Sequence, residues 1–279
     1  MRGISPLKML NYCEVDRFEP LSMKLPMNLS SENSIPLAHT VFDGSKIGIT
    51  GVAIALLIIT IWVISFGFLL NSVYVEQTYS YWVVVAILWQ TFLCTGLFIT
   101  AHDAMHGSIL PKHHQINYFI GSLALLLYGF FSYDQLLKKH SQHHDSPASE
   151  SDPDFHNGKH KNAIAWYICF MQRYWSWRRL TALLLTYLSM HILWNIAYAN
   201  LILFSAVPAI LSSIQVFYFG TFLPHQEPID GYKNLSRAQS IYRPFLWSFL
   251  TCYHFGYHQE HHTYPSIPWW KLPSIIPQN

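Results

Sequence analysis

The sequence predicts an all-α integral membrane protein with about four transmembrane helices and a re-entrant or interfacial hairpin. Three observations carry that class. Apolar residues make up 51% of the 279-residue chain and charged residues only 11%, against about a quarter charged in soluble domains. Uncharged tracts recur with the length needed to cross a bilayer core about 30 Å thick. With four such tracts as spans, all 17 Lys and Arg residues fall on one side.

Each element follows in order. Residues 1–46 hold several charges and no apolar core, so they read as a cytosolic, partly disordered tail and not as a secretory signal. Residues 47–279 read as one membrane domain. Ile49 to Leu70 is the first expected span and Tyr81 to Thr100 the second, separated by a short polar break. Leu180 to Pro224 contains no Lys, Arg, Asp or Glu. At about 1.5 Å per residue it is twice one crossing, and it is split near Ala199–Asn200 into two spans. Ile116 to Ser132 is apolar but short. A full crossing there would divide the basic residues between the two sides, so it is expected to be the hairpin, which protein must cover. By the positive-inside rule both chain ends face the cytoplasm. Net charge is +2, which implies no strong pull toward nucleic acid. The four cysteines form no CxxC pair and suggest neither a disulfide framework nor a thiolate metal site.

Sixteen histidines are the anomaly. Eight lie in three clusters: His102 and His106; His140, His143 and His144; His258, His261 and His262. Spacings of three and four put side chains on one helix face. All three clusters sit at the cytoplasmic ends of apolar segments, where distant parts of the chain can meet. Eight imidazoles are too many for one ion and suit two, so the fold is expected to carry a cytoplasmic histidine-rich di-metal cap. Imidazole alone accepts Zn, Cu, Fe or Ni. A hydrolytic zinc site needs only about three protein ligands; a carboxylate-free imidazole set suits an iron pair that handles O2 beside an apolar substrate.

His225 leaves the last span beside Pro224 and is expected to be a ninth ligand, its other role being a helix-end cap. His156 and His160 read as loop residues or as supports behind the ligands, because Gly158 interrupts a helix there. His113 and His114 read as solvated, His191 as a hydrogen-bonded residue within a span, and His254 as a weaker ligand candidate than His225. Ligating imidazoles usually donate their second N–H to a carboxylate or carbonyl. Asp103 and Glu260 are the preferred partners; Asp145, Asp152 and Asp154 also lie near the clusters.

The HxxxH, HxxHH and HxxHH arrangement resembles the membrane di-iron superfamily of fatty-acid desaturases, alkane hydroxylases and carotenoid-oxygenating enzymes. The strings HDAMHG (102–107), DPDFHNGKHKN (152–162), YWSW (174–177), FYFGTFLPH (217–225) and TCYHFGYHQEHH (251–262) resemble the bacterial and cyanobacterial β-carotene ketolases more closely. That resemblance covers roughly residues 50–272. It implies two irons held by the eight clustered histidines, O2 as co-substrate, electrons from a ferredoxin-type donor, and ketone formation at C4 and C4′ of β-ionone rings, giving echinenone and canthaxanthin. The chain has no GxGxxG, iron–sulfur or haem-attachment motif, which fits an external donor. The basic residues Lys138–Lys139 and Arg178–Arg179 could dock an acidic carrier or anchor the membrane surface. Alternatives within the superfamily are a carotenoid ring hydroxylase and a fatty-acyl desaturase. The alternative of another class is a histidine-rich metal transporter, whose sites should instead lie near the bilayer midplane.

Overall fold

The computed structural model describes residues 44–73, 75, 78–158 and 161–275, with side chains from residue 48 onward. The expected tail therefore lies outside the described residues except for 44–46, as does His160. The chain is helical, with no strand among the described residues. Its elements are α1 (Gly44–Ser72), α2 (Ser80–Met105), α3 (His114–Gly129), α4 (Tyr133–Asp145), α5 (Ala163–Arg173), α6 (Trp177–Trp194), α7 (Tyr198–Phe222), α8 (Phe245–Cys252) and α9 (His258–Thr263), followed by a 3-10 turn at Trp269–Ser274. Two stretches of α7, Ile202–Ala206 and Phe217–Phe222, are π-helical.

Helices α1, α2 and α7 are long and apolar enough to cross a membrane. Their outward residues are ones water would not tolerate in bulk: Leu57, Ile64 and Phe68 on α1, Val84 and Leu88 on α2, Ile202 and Ile210 on α7 are all exposed. Inward, Leu97, Ile99, Ala124, Leu125, Leu201 and Phe204 are fully buried. In lipid, helix association rests on close packing and interhelical hydrogen bonds. Both are present. Thr95 Oγ1 on α2 lies 2.9 Å from Ser212 Oγ and 2.7 Å from Gln215 Oε1 on α7. Asn200 Nδ2 bonds the carbonyls of Leu69, Leu70 and Val73, and so satisfies the frayed end of α1.

The long uncharged tract breaks earlier than expected, at residues 195–197 and not at 199–200. Asn195 adopts the left-handed conformation (φ 52°) and stops α6; asparagine accepts that geometry where most residues do not. Helix α6 also begins at Trp177, so Arg178 and Arg179 occupy its first turn and set it apart from α1, α2 and α7. Its 18 residues rise about 27 Å. Exposed tryptophans, Trp177 and Trp194, mark its two ends.

Residues 116–132 form no straight crossing. Helices α3 and α4 meet at 102°. Phe130, left-handed at φ 59°, ends α3, and the Ser132 side chain accepts from Gln135 N to start α4. The bend is set by a notch: a Cβ on Gly121 would stand 2.3 Å from the Tyr133 ring, so only glycine lets α4 fold back onto α3. This geometry delivers the second histidine cluster to the end of α2. Cys94 and Cys252 are free and buried.

Candidate metal centre

The histidines converge from four places. His102 lies in the last turn of α2 and His106 caps it. His140, His143 and His144 share one face of α4; His258, His261 and His262 share the short α9. His225 follows the π-helical end of α7. They divide into two groups, each with its nitrogen atoms within 4.8 Å of one another: His102, His106, His140, His144 and His261 in one, and His143, His225, His258 and His262 in the other.

Within the groups the ring nitrogens face each other. His106 Nε2 is 2.6 Å from His140 Nε2, and His144 Nε2 is 3.0 Å from His261 Nε2. In the second group Nε2 of His258 is 3.0 Å from that of His225 and 3.1 Å from that of His262, which is 3.2 Å from that of His143. Two nitrogens bound at right angles to one ion, each about 2.1 Å from it, lie about 3.0 Å apart.

Tautomers decide what these contacts are. His143 presents Nδ1 to Asp152 at 2.9 Å, and His225 presents Nδ1 to the Arg237 carbonyl at 2.9 Å. With the protons on those Nδ1 atoms, the Nε2 atoms of both rings carry bare lone pairs aimed into the second group. His102 has neither ring nitrogen hydrogen-bonded, though both are buried. Inward lone pairs and orphaned buried nitrogens suit a cation. Burial, then the neighbouring His143, pushes His225 down to about 3. Burial followed by neighbouring imidazoles holds His258, His261 and His262 well below the usual histidine range. Neutral imidazole is the form that ligates a metal. The two groups could each hold a metal ion.

An apolar cavity meets both groups. His102 and His140 of the first and His143 and His258 of the second line it, with Phe98, Met105, Tyr128, Phe131 and Val216 as further walls. Gly220, in the π-helical turn of α7, also lines it. A Cβ there would stand 2.3 Å from the Phe255 ring. That ring packs edge-on against His102 and His258, with centroids 4.8 and 5.2 Å apart.

Residues 158–278 match the fatty acid desaturase family. The chain is 43% identical over 195 residues to the beta-carotene ketolase of Paracoccus sp. (strain PC1), covering 68% of this chain and 77% of that protein. It is 43% identical over 188 residues to the beta-carotene ketolase of Haematococcus lacustris (65% and 58%), and 35% identical over 263 residues to the zeaxanthin 4-ketolase of Chlamydomonas reinhardtii (89% and 58%). The chain belongs to the beta-carotene ketolase family. It spans just under three fifths of the Haematococcus and Chlamydomonas proteins.

For a beta-carotene ketolase family member, the outer layer of this centre holds corrections. Glu260 bonds no imidazole of either group; its carboxylate accepts from the hydroxyls of Ser240 and Tyr242, the latter at 2.6 Å. Asp103 stands 3.5 Å from His102 Nδ1, and its Oδ2 accepts from Trp269 N at 3.1 Å, tying the 3-10 turn at Trp269–Ser274 to the end of α2. Asp152 is the carboxylate that sequence proximity undervalued. It is buried, lies 2.9 Å from His143 Nδ1 and is held by Ala148 N and Asp154 N, each at 2.8 Å. The available signal was the DPD string nine residues beyond His143, which folds back beside α4. The Arg237 carbonyl could not be found from sequence, since it depends on that residue's left-handed backbone (φ 43°).

The other described histidines stay out of both groups. His156 Nδ1 accepts from Gly158 N and its ring packs on Phe155 and Trp166. His191 is 2.9 Å from the Ile196 carbonyl and stacks on Tyr198. His254 is buried against Phe245 and Phe249.

Proposed function

We propose that residues 47–279 form a β-carotene 4-ketolase domain that oxidises C4 and C4′ of β-ionone rings to ketones. Two irons are the proposed occupants. His102, His106, His140, His144 and His261 would hold one, and His143, His225, His258 and His262 the other. The pair would supply the O2 activation that oxidising the allylic C4–H bond requires. Imidazole without carboxylate is compatible with iron.

The cavity carries this reading. It is apolar, it touches imidazoles of both groups, and it lies among helices whose outer faces meet lipid. A carotenoid is dissolved in that lipid. Phe98, Met105, Tyr128 and Phe131 would grip the ring and exclude water, leaving C4 against the histidine face. One oxidation converts the C4 methylene to an alcohol. A second gives a geminal diol, which loses water to become the ketone. Each consumes one O2, two electrons and two protons, and releases one water. The electrons are proposed to come from a ferredoxin-type donor, and the histidine centre and both chain ends to face the cytoplasm, as the positive-inside rule directs.

The test is expression in a host that makes β-carotene, followed by pigment analysis. Echinenone and canthaxanthin are expected. Ring-hydroxylated carotenoid without ketone, or unchanged β-carotene with desaturated acyl chains, would replace this reading with one of its alternatives.

A further inference from the structure

A second pocket adjoins the first, and its chemistry is opposite. Lys139 of α4, Arg173 at the end of α5, and Arg178 and Arg179 of α6 line it. None of these four cations forms a salt bridge among the described residues. Lys139 donates to the Arg173 carbonyl and lies over the Tyr174 ring, 4.3 Å from its centroid. Arg179 stacks on Phe131 at 3.7 Å. Arg173 spends Nη1 on the carbonyls of the 152–155 loop. The charge of Asp154 reaches Lys139 and Arg173, that of Asp152 reaches Arg173 as well, and the Asp154 carboxylate already accepts from the Tyr174 hydroxyl while that of Asp152 faces His143. The first turn of α6 holds two arginines and no acid, the reverse of what a helix N-terminus favours. Such an arrangement is stabilised when an anion enters.

The surroundings say which anion. Trp175, 50% exposed, lines the pocket, and Trp177, 70% exposed, stands beside it at the start of α6. Amphipathic aromatics concentrate at the headgroup level of a bilayer. Beyond them α6 presents Leu184, Leu188 and Ile192 outward, so acyl chains lie directly below. We propose that this pocket binds the phosphate of an anionic glycerophospholipid, its headgroup seated among Lys139, Arg173, Arg178 and Arg179 and its chains along α6. The bound lipid pins α4 to α6. Because Phe131, Leu136 and Tyr174 line both pockets, it also braces one wall of the apolar cavity. The site is independent of what that cavity oxidises.

The probe is phosphatidylglycerol added to detergent-purified, metal-loaded protein, with retention read by native mass spectrometry. Phosphatidylcholine and inorganic phosphate are the comparison arms. Wild type should retain phosphatidylglycerol in preference to phosphatidylcholine, and millimolar phosphate should fail to displace it. Each pocket charge removed should weaken retention about fivefold, so Arg178→Gln/Arg179→Gln should lose it. Arg179→Lys should keep most of it, and Lys138→Gln, on the exposed face of α4, should leave it unchanged. Unchanged metal content in each variant shows that it has folded. Displacement by phosphate would make the site one for the free ion. Equal retention of both lipids, or by wild type and the double variant, would overturn the proposal. So would a variant that keeps its lipid but needs more of an acidic electron carrier to reach half-maximal rate, which would assign the pocket to the carrier.

Discussion

His143 Nδ1 lies 2.9 Å from both carboxylate oxygens of Asp152, and that carboxylate is itself held by two backbone amides. The contact fixes the ring's tautomer and turns Nε2 toward His262 and His258. Outer carboxylates of this kind are worth about 10–100-fold in metal affinity. Asp152→Asn should therefore lower retained metal within that range when the protein is dialysed against a chelator. Glu260→Gln should stay near wild type, because Glu260 bonds Ser240 and Tyr242 instead. Equal metal loss in the two variants, measured by elemental mass spectrometry, would reject the distinction.

His225→Ala and His191→Ala should separate just as clearly. His225 is 1% exposed and its Nε2 is 3.0 Å from that of His258. Removing it should cost about one ion per chain and nearly all ketone formation. His191 bonds the Ile196 carbonyl and stacks on Tyr198. Its loss should loosen the α6–α7 turn and leave both ions in place. Normal metal in His225→Ala would return the search for a ninth ligand to His254 and His156.

Much of this centre was legible in the sequence because helical spacing is a short-range property. His140, His143 and His144 share a face whatever the rest of the chain does, and His225 was marked by its place after an apolar run and Pro224. The uncharged tracts announced α1, α2 and α7 for the same reason. What the sequence hid is long-range or depends on backbone detail. Nothing in the string says that His106 joins His261 while His143 joins His262. The Asp152 contact needs the chain to double back after α4, and the Arg237 carbonyl needs a left-handed residue. The break between α6 and α7 was misplaced because two asparagines five residues apart offer the same signal, and only tertiary contact with the end of α1 tells them apart.

Sidedness can be read by labelling. Ser72 at the end of α1 and Gln226 after α7 are both exposed, while Cys94 and Cys252 are buried. A membrane-impermeant thiol reagent on intact cells should modify Ser72→Cys and spare Gln226→Cys until the membrane is opened. The basis is the four-span topology, which would put all 17 Lys and Arg residues on one side. Equal protection of both positions would sink the four-span orientation.

Gly220→Ala tests whether the π-helical end of α7 shapes the cavity or merely closes it. The added methyl would stand 2.3 Å from Phe255, well inside contact distance, and the ring would have to move. Pushed away from α7, it would press on the imidazoles it already touches, His102 and His258. Overpacking of this kind costs about 1–3 kcal/mol. A packing defect alone would lower thermal stability and leave turnover of the folded protein intact. A displaced Phe255 should instead cut turnover with metal still bound, since the ring and both imidazoles line the space offered to substrate. Shrinking the obstructing ring should relieve the clash, so Gly220→Ala/Phe255→Leu should recover much of the activity that either single change loses. That is a coupling the two substitutions would not show if they acted independently. If the double variant is no better than the product of the singles, Gly220 and Phe255 do not meet in the way that shapes the cavity.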